Sequence, residues 1–549
     1  MKNKLILVII ILIAFILRFY QLNNFPTGFQ RDEAFIGYNT YSILKTGREM
    51  SGDFLPTHLR SFLFTPAGNV YISAPFVSIF GLSKFSIRFS SALFGLLSIP
   101  LLYLVLKEFL QKEKGLKNIG CEISLFASFL FAISPWHINL SRTSSVVTPV
   151  VFFILLGIFL YFRSVNKGKA LLLFASFASF FISLFFYISP YTFLPIFIPS
   201  LFFFYKTKYE KLFFFFYILL IIIPLIITLL SGNLSTRVNS ISIIKNGETS
   251  LRIGESARED GVAKINSGLV RFFHNKPSVL STIFLQNYFD HLSYSFLFTE
   301  KSFPDRYRVP RMGIMYLFEF ALLILGVIFV IKNNLKLGYF LIFWALVAPI
   351  GSSLSFDDVP NMQRTLYMLP PLLILETIGV YYLVEKLNLK RWFPILFLII
   401  FLNIFYYLHQ YYIHGAVYHP WYRQEGYETL VKKLNTYLPN YKKAIITNRE
   451  SGPSVEVAFF SKFSPSAFQK DTKNQDVQNS DMVSFGKYTF SNEECPLREE
   501  IKNGSPVITG EKDIVYVDSG LCKIPKNVKV LETILRSDNS IVYYILTLK

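Results

Sequence analysis

Two adjacent carboxylates, in Gln30-Arg31-Asp32-Glu33-Ala34, follow shortly after the apolar run Leu5 to Leu17. A carboxylate at a boundary between lipid and water can take a proton from a hydroxyl or amine while still reaching a lipid-linked partner. Asp32 is the candidate general base. Glu33 either assists it or caps the helix that begins there, since acids are favourable in a first turn. A plain surface helix would also account for both acids. Anionic partners need cations, and several arginines stand near the ends of apolar runs. Arg364 follows Pro360-Asn361-Met362-Gln363 and the acids Asp357 and Asp358, Arg142 follows Trp136-His137, and Arg308 lies between Arg306 and Arg311. The planar guanidinium fork suits phosphate, so Arg364, Arg142 and Arg308 are the candidate phosphate ligands. Arg88 reads more simply as a helix-end anchor. His137 and His291 are further candidate site residues. His409, His414 and His419 recur every five residues, a poor match to one helical face, so no metal site is assigned. A divalent cation is compatible with the chemistry but not required by it. The chain has no glycine-rich phosphate loop of the nucleotide-binding type, which argues against direct use of ATP or a nucleotide sugar.

These groups need elements to hold them. Of 549 residues, 52% are hydrophobic and 59 are Phe, and many long runs carry no charge. Runs of about 18 or more apolar residues cross a bilayer core. Eleven spans are expected, at 4–18, 88–106, 119–135, 146–163, 170–188, 190–205, 212–230, 314–331, 337–354, 365–385 and 392–409. The first is expected to be a retained helix, because no small-residue cleavage site follows it before Arg18. The net charge of +19 resides mainly in short loops between runs, such as Lys107 to Lys117 and Lys386 to Arg391. With eleven crossings those loops share one side, which the positive-inside rule makes cytoplasmic. That distribution gives membrane orientation, and not nucleic-acid binding, as the origin of the charge.

The opposite, extracytoplasmic side then receives the loops 19–87 and 231–313 and everything beyond 410. Spacing predicts a helix over Ala34 to Leu44, ended by Thr46-Gly47, and an amphipathic interfacial helix over Asn69 to Phe80. Residues 410–549 change composition. A helix over Glu425 to Leu438, a helix or strand at Val455 to Phe460, and strands near 444–447, 513–517, 528–533 and 540–547 predict a small α/β domain. The expected architecture is a polytopic α-helical membrane protein: a transmembrane domain at 1–409 and an extracytoplasmic α/β domain at 410–549. Cys495 and Cys522 fall in that second domain, where an oxidising compartment allows a disulfide between them.

Several segments together resemble the GT-C membrane glycosyltransferases, in particular the protein O-mannosyltransferase and lipid A aminoarabinose transferase group. They are Arg31-Asp32-Glu33-Ala34 with Gly37-Tyr38, Ile87-Arg88-Phe89-Ser90-Ser91-Ala92-Leu93-Phe94-Gly95, Ser134-Pro135-Trp136-His137 with Ser141-Arg142, Tyr316-Leu317-Phe318-Glu319, and Gln363-Arg364-Thr365. The likeness covers about residues 1–410. It implies a polyprenyl-phosphate sugar donor, inversion at the sugar carbon, Asp32 as base and outer-loop arginines on the lipid phosphate. Tyr38 joins the candidate site residues through this motif. The implied partners are that donor, membrane lipids, and a protein, glycan or lipid acceptor, with the enzyme multi-pass in the plasma membrane. Two positions depart from the aminoarabinose pattern. Phe35 stands where a basic residue is expected three positions after the acid, and Phe64-Thr65-Pro66 replaces a Lys-Pro pair. The donor sugar is therefore left open. A transporter or flippase of lipid-linked glycan would show paired inverted repeats, which the sequence lacks; an inactive binding platform is the third alternative.

Overall fold

The computed structural model describes residues 2–111, 113, 120–231, 242–244, 247–386, 393–477, 482–502 and 505–549. Each of the eleven expected spans holds a helix, but not every helix is long enough to cross a bilayer by itself. Among the described residues, six are long and apolar enough, from Lys84–Leu110 to Phe393–Val417, or seven if a bent pair counts as one span. That pair is Gly120–Ile133 and Pro135–Ser141, which meet at 56°. The shortfall from eleven has a physical cause. Ala170–Ser183, Pro190–Phe204 and Leu317–Lys332 have 14, 15 and 16 residues, and Lys2–Phe19 carries Lys2, Lys4 and Arg18 in its 18. The long helices expose large apolar side chains, including Phe401 and Phe405 on Phe393–His409. Such faces suit lipid rather than water, as in a multi-pass membrane protein.

The chain forms two compact units. The first comprises residues 1–20, 93–141 and 146–407. Its helices pack closely where glycines permit. Between Leu317–Lys332 and Leu369–Tyr381, a Cβ on Gly326 would run into the Leu375 carbonyl, and one on Gly379 into the Leu322 carbonyl. Small residues let backbones of membrane helices approach in this way.

The second unit comprises residues 21–92, 142–145 and 408–549. The first outer loop, expected with residues 1–409, therefore groups with the C-terminal residues. The reason is packing on the helix Arg31–Thr46. Gly37 leaves room for the Phe459 ring, Tyr38 Oη donates to the Phe463 carbonyl at 3.1 Å, and Gln469 Nε2 donates to Ser42 Oγ at 3.0 Å. The α/β fold centres on a five-stranded sheet in the order Tyr488–Ser491, Lys443–Thr447, Ile514–Ser519, Ile541–Leu548, Val528–Leu535. The first two pairings are parallel and the last two antiparallel. The inner strands are buried on both faces, as Ile514–Ser519 is at every position. Ala444 and Ile446 of Lys443–Thr447 are buried, as are Val542, Tyr543, Ile545 and Leu546 of Ile541–Leu548. Helix Tyr427–Tyr437 packs on the sheet, with the Tyr427 ring 5.6 Å from that of Tyr543. Cys495 and Cys522 are joined by a disulfide.

Candidate active site

In the second unit the site is organised by the first turn of Arg31–Thr46. Gln30 stands at the N-cap in extended conformation, and its N–H donates to Glu33 Oε2 at 3.3 Å. Gly47 closes the far end with φ 69°, a conformation that suits glycine. Glu33 is buried and does more than cap. Its Oε1 accepts from Arg88 Nε at 2.9 Å and from the Ser144 N–H at 3.1 Å, while Oε2 also accepts from Arg88 Nη2 at 3.1 Å. Arg88 spends its remaining donors on the carbonyls of Leu22, Pro26 and Gly28 at 3.3, 3.0 and 2.8 Å. Arg88 is thus no solvent-facing anchor. It is a fully buried ion pair that ties residues 22–28 to the helix start. Glu33 has both oxygens fully engaged, which makes it a positioning residue and leaves Asp32 as the half-buried acid of the pair.

The surroundings of that turn include a carboxyl the sequence did not reveal. Glu456, on Pro453–Phe460, is fully buried, and neither of its oxygens has a hydrogen-bond partner among the described residues. Burial pushes its pKa well above the usual carboxylate range; Glu33 and Asp32 reinforce the shift, while Arg31 and Lys84 oppose it. No local motif marks Glu456, because the charged groups around it come from elements more than 370 positions earlier in the chain. Arg142 lies buried with its guanidinium 5.3 Å from the Tyr411 ring and 5.5 Å from the Tyr412 ring. Its Nε donates to Tyr411 Oη at 3.0 Å and its Nη2 to the Phe25 carbonyl at 3.2 Å. Tyr38 is held by Phe463, and burial raises its phenol pKa, so it serves packing rather than proton transfer. Phe35 stacks on Phe62 at 4.5 Å with the Arg31 guanidinium 5.4 Å from its ring. An aromatic packing residue thus occupies the position where the aminoarabinose pattern is basic. Thr65 is likewise internal, donating to the Phe62 carbonyl at 2.6 Å.

The first unit contains a cavity of about 460 Å³ whose walls are mostly apolar, including Leu184, Ile188, Pro190, Leu220 and Leu225. Arg364 is the one charged side chain among its described lining residues. Arg364 Nη1 donates to Ser355 Oγ at 2.6 Å and to the Asp357 carbonyl at 2.9 Å, and Nη2 pairs with Asp357 Oδ1 at 3.0 Å. Burial alone would lower its pKa, but Tyr187 and Asp357 more than offset this and hold it above the ordinary arginine value. The turn that carries Arg364 is built by Asn361, whose Oδ1 accepts the N–H groups of Gln363 and Arg364 at 2.9 and 2.8 Å. His291 in turn fixes Asn361. Its Nε2 accepts the Asn361 N–H at 3.0 Å, so its Nδ1 donates to the Asn287 carbonyl at 2.7 Å. Burial brings the His291 pKa down to about 4, assisted by Arg364, so the ring is neutral at pH 7. His291 is therefore a positioning residue behind Arg364.

The remaining candidates of this unit have structural partners. Arg308 pairs with Asp305 at 3.0 Å and donates to the Glu300 carbonyl at 3.1 Å, and it does not line the cavity. His137 Nδ1 meets Arg18 Nη2 at 2.6 Å, and Arg18 also donates to the Ala132 carbonyl at 2.9 Å. Among the described residues, no group of three or more His, Cys, Asp or Glu could hold a metal ion.

Comparison with known proteins agrees with the resemblance over the N-terminal part. Residues 8–238 match the family model described as dolichyl-phosphate-mannose-protein mannosyltransferase. The segments around Asp32, Arg88 and Arg142 all lie in that stretch. Two Bacillus subtilis (strain 168) proteins are similar: "Putative mannosyltransferase YkcB", 32% identical over 123 residues, and "Putative mannosyltransferase YycA", 30% identical over 124. Each match covers 21% of this chain and only 16% or 17% of the relative. Among solved structures, the oligosaccharyltransferase AglB from Archaeoglobus fulgidus, in complex with an inhibitory peptide and a dolichol-phosphate, is 14% identical with a TM-score of 0.48. That alignment covers 84% of this chain and 63% of AglB. ArnT from Cupriavidus metallidurans bound to undecaprenyl phosphate is 11% identical with a TM-score of 0.39, covering 98% and 97%.

Proposed function

We propose that this protein is a membrane glycosyltransferase that takes its sugar from a polyprenyl-phosphate donor, with Asp32 as the general base. The observation that carries the reading is the cavity with one arginine in an apolar wall. A long isoprenoid with a single phosphate needs that combination: apolar surface for the chain and one fixed guanidinium for the head. The family match over residues 8–238 supports the same chemistry. Asp32 accepts the proton of an acceptor O–H or N–H as the acceptor atom bonds to the anomeric carbon. The sugar–phosphate C–O bond breaks with its electrons leaving on the lipid phosphate. Attack from the opposite side inverts the carbon, and Arg364 stabilises the charge that grows on the departing phosphate. Both working faces are assigned to the extracytoplasmic side from the placement of the basic loops.

The deciding experiment incubates the protein with labelled polyprenyl-phosphate sugars and a cell-envelope extract as the source of acceptor, and follows the loss of label from the donor lipid. Wild type is expected to release label from the lipid. Asp32→Asn should lower turnover by roughly 100-fold or more with unchanged membrane insertion. Wild-type turnover in that variant removes Asp32 from the role of base.

A further inference from the structure

The second unit holds another cavity, of about 430 Å³, lined by Trp421, Arg449, Glu450, Ser451, Leu521 and Arg536 among others. Its chemistry differs from that of the apolar cavity. Arg536 is nine-tenths buried; its Nη2 donates to Glu450 Oε1 at 2.7 Å and its Nη1 to Ser540 Oγ at 3.3 Å. Its Nε–H is buried, with no hydrogen-bond partner among the described residues. Arg449 is likewise ion-paired, its Nε 3.3 Å from Glu494 Oε1. Each lining cation is therefore matched by an acid. With Glu494 behind the wall counted, the charges balance, and a site without excess charge has no reason to select phosphate or nucleic acid. What it offers instead is planar donors and acceptors side by side, the pattern that vicinal hydroxyls can satisfy in pairs. Trp421 is 43% exposed and adds an aromatic surface suited to the C–H face of a sugar ring. The volume falls in the range of small-ligand sites, about 300–1,000 Å³.

The cavity is also wired to the turn that carries Asp32. Gln424 Nε2 donates to the Glu450 and Ser451 carbonyls, both at 2.8 Å, and its Oε1 accepts the Arg31 N–H at 2.6 Å. Ser451 and Gln424 hold φ of 61° and 50°, left-handed backbone that such bonds must secure.

We propose that this cavity binds a neutral oligosaccharide, and that the acceptor of the transfer is a glycan. The acceptor role rests on the transferase reading above; the binding does not. The full chain in lipid nanodiscs is tested for capture on an array of short neutral oligosaccharides of glucose, galactose, mannose and N-acetylglucosamine. Unstructured peptides and inorganic phosphate serve as competitors. At least one series should be retained, on the order of tenfold more weakly by Trp421→Ala and near wild-type strength by Trp421→Phe. Glu450→Gln, which keeps side-chain shape but removes the ion pair, should also weaken retention. Thermal unfolding of each variant separates lost binding from lost folding. Absence of any retained oligosaccharide, indifference of capture to Trp421→Ala, or displacement by peptide overturns the proposal. Capture needs no turnover. Failed capture with release of donor label therefore sinks the glycan site alone. Capture without any transfer sinks the transferase reading.

Discussion

Successive residues on a helix point about 100° apart, so Glu33 turns inward onto Arg88 while its neighbour Asp32 keeps partial exposure. The same geometry sets the cost of disturbing the turn. Arg88→Met strands a buried carboxylate that also holds the Gln30 and Ser144 N–H groups. The expected destabilisation is about 3–5 kcal/mol, read as a lower thermal unfolding midpoint in detergent. Arg88→Met with Glu33→Leu should recover part of it, because no charge is left unpaired. A double variant no more stable than Arg88→Met contradicts the assignment of this pair. Glu456 gives a prediction in pH. Its raised pKa means the folded chain keeps a proton that the unfolded chain loses above about pH 4.5. The folded state then binds more protons, so this group lowers stability as pH rises from there. Glu456→Gln cannot titrate. Its unfolding midpoint, relative to wild type, should be higher at pH 8 than at pH 4; an equal offset at both contradicts a buried proton.

At the scale of elements, local pattern and long-range pairing divided the work. The expected helix over Ala34 to Leu44 is Arg31–Thr46, and the strands near 444–447, 513–517, 528–533 and 540–547 appear as Lys443–Thr447, Ile514–Ser519, Val528–Leu535 and Ile541–Leu548. Each has its own periodicity or turn, such as Asn539 at φ 65° between the last two strands. Pro453–Phe460 resolves the ambiguity between helix and strand as a helix, with Pro453 in its first turn. The edge strand Tyr488–Ser491 was not legible. It is four residues long and is defined by parallel pairing with Lys443–Thr447 across some 40 residues of chain. Glu33 shows the same limit at the site, since the acid was readable but its partner at Arg88 came only with the fold. The disulfide between Cys495 and Cys522 closes a separation of 27 residues, for which chain entropy gives about 3.5 kcal/mol. Cys495→Ser with Cys522→Ser should lower the unfolding midpoint of the α/β unit accordingly. Leu521, beside Cys522, lines the polar cavity, so oligosaccharide capture should weaken in the same variant. An unchanged midpoint removes the bridge from the unit's stability.

At the scale of the molecule, the grouping of residues 21–92 with 408–549 makes the C-terminal domain part of what shapes the Asp32 turn. Arg31–Thr46 buries Phe35, Ile36 and Tyr38, and part of what covers that helix comes from beyond position 410. Phe459 lies over Gly37, and Phe468 meets Tyr38 with ring centroids 5.3 Å apart. Phe459 also stacks near Phe29 at 4.6 Å, and Gln469 Nε2 donates to Thr46 Oγ1 at 3.1 Å and to the Glu49 carbonyl at 3.0 Å. A chain ending at residue 409 loses all of these contacts and the Gln424 bond to the Arg31 N–H. Burying one large aromatic side chain is worth about 1.5–3 kcal/mol, so several such losses exceed what a 16-residue helix can supply by its own propensity. The truncated protein should insert in the membrane, because the apolar helices from Lys84–Leu110 to Leu366–Val384 are intact, yet limited proteolysis should cut within 21–92, where the full chain resists. Donor turnover should fall together with that protection. Protection of 21–92 in the truncated chain would show that the helix stands without the C-terminal residues, and the position of Asp32 would then need another support.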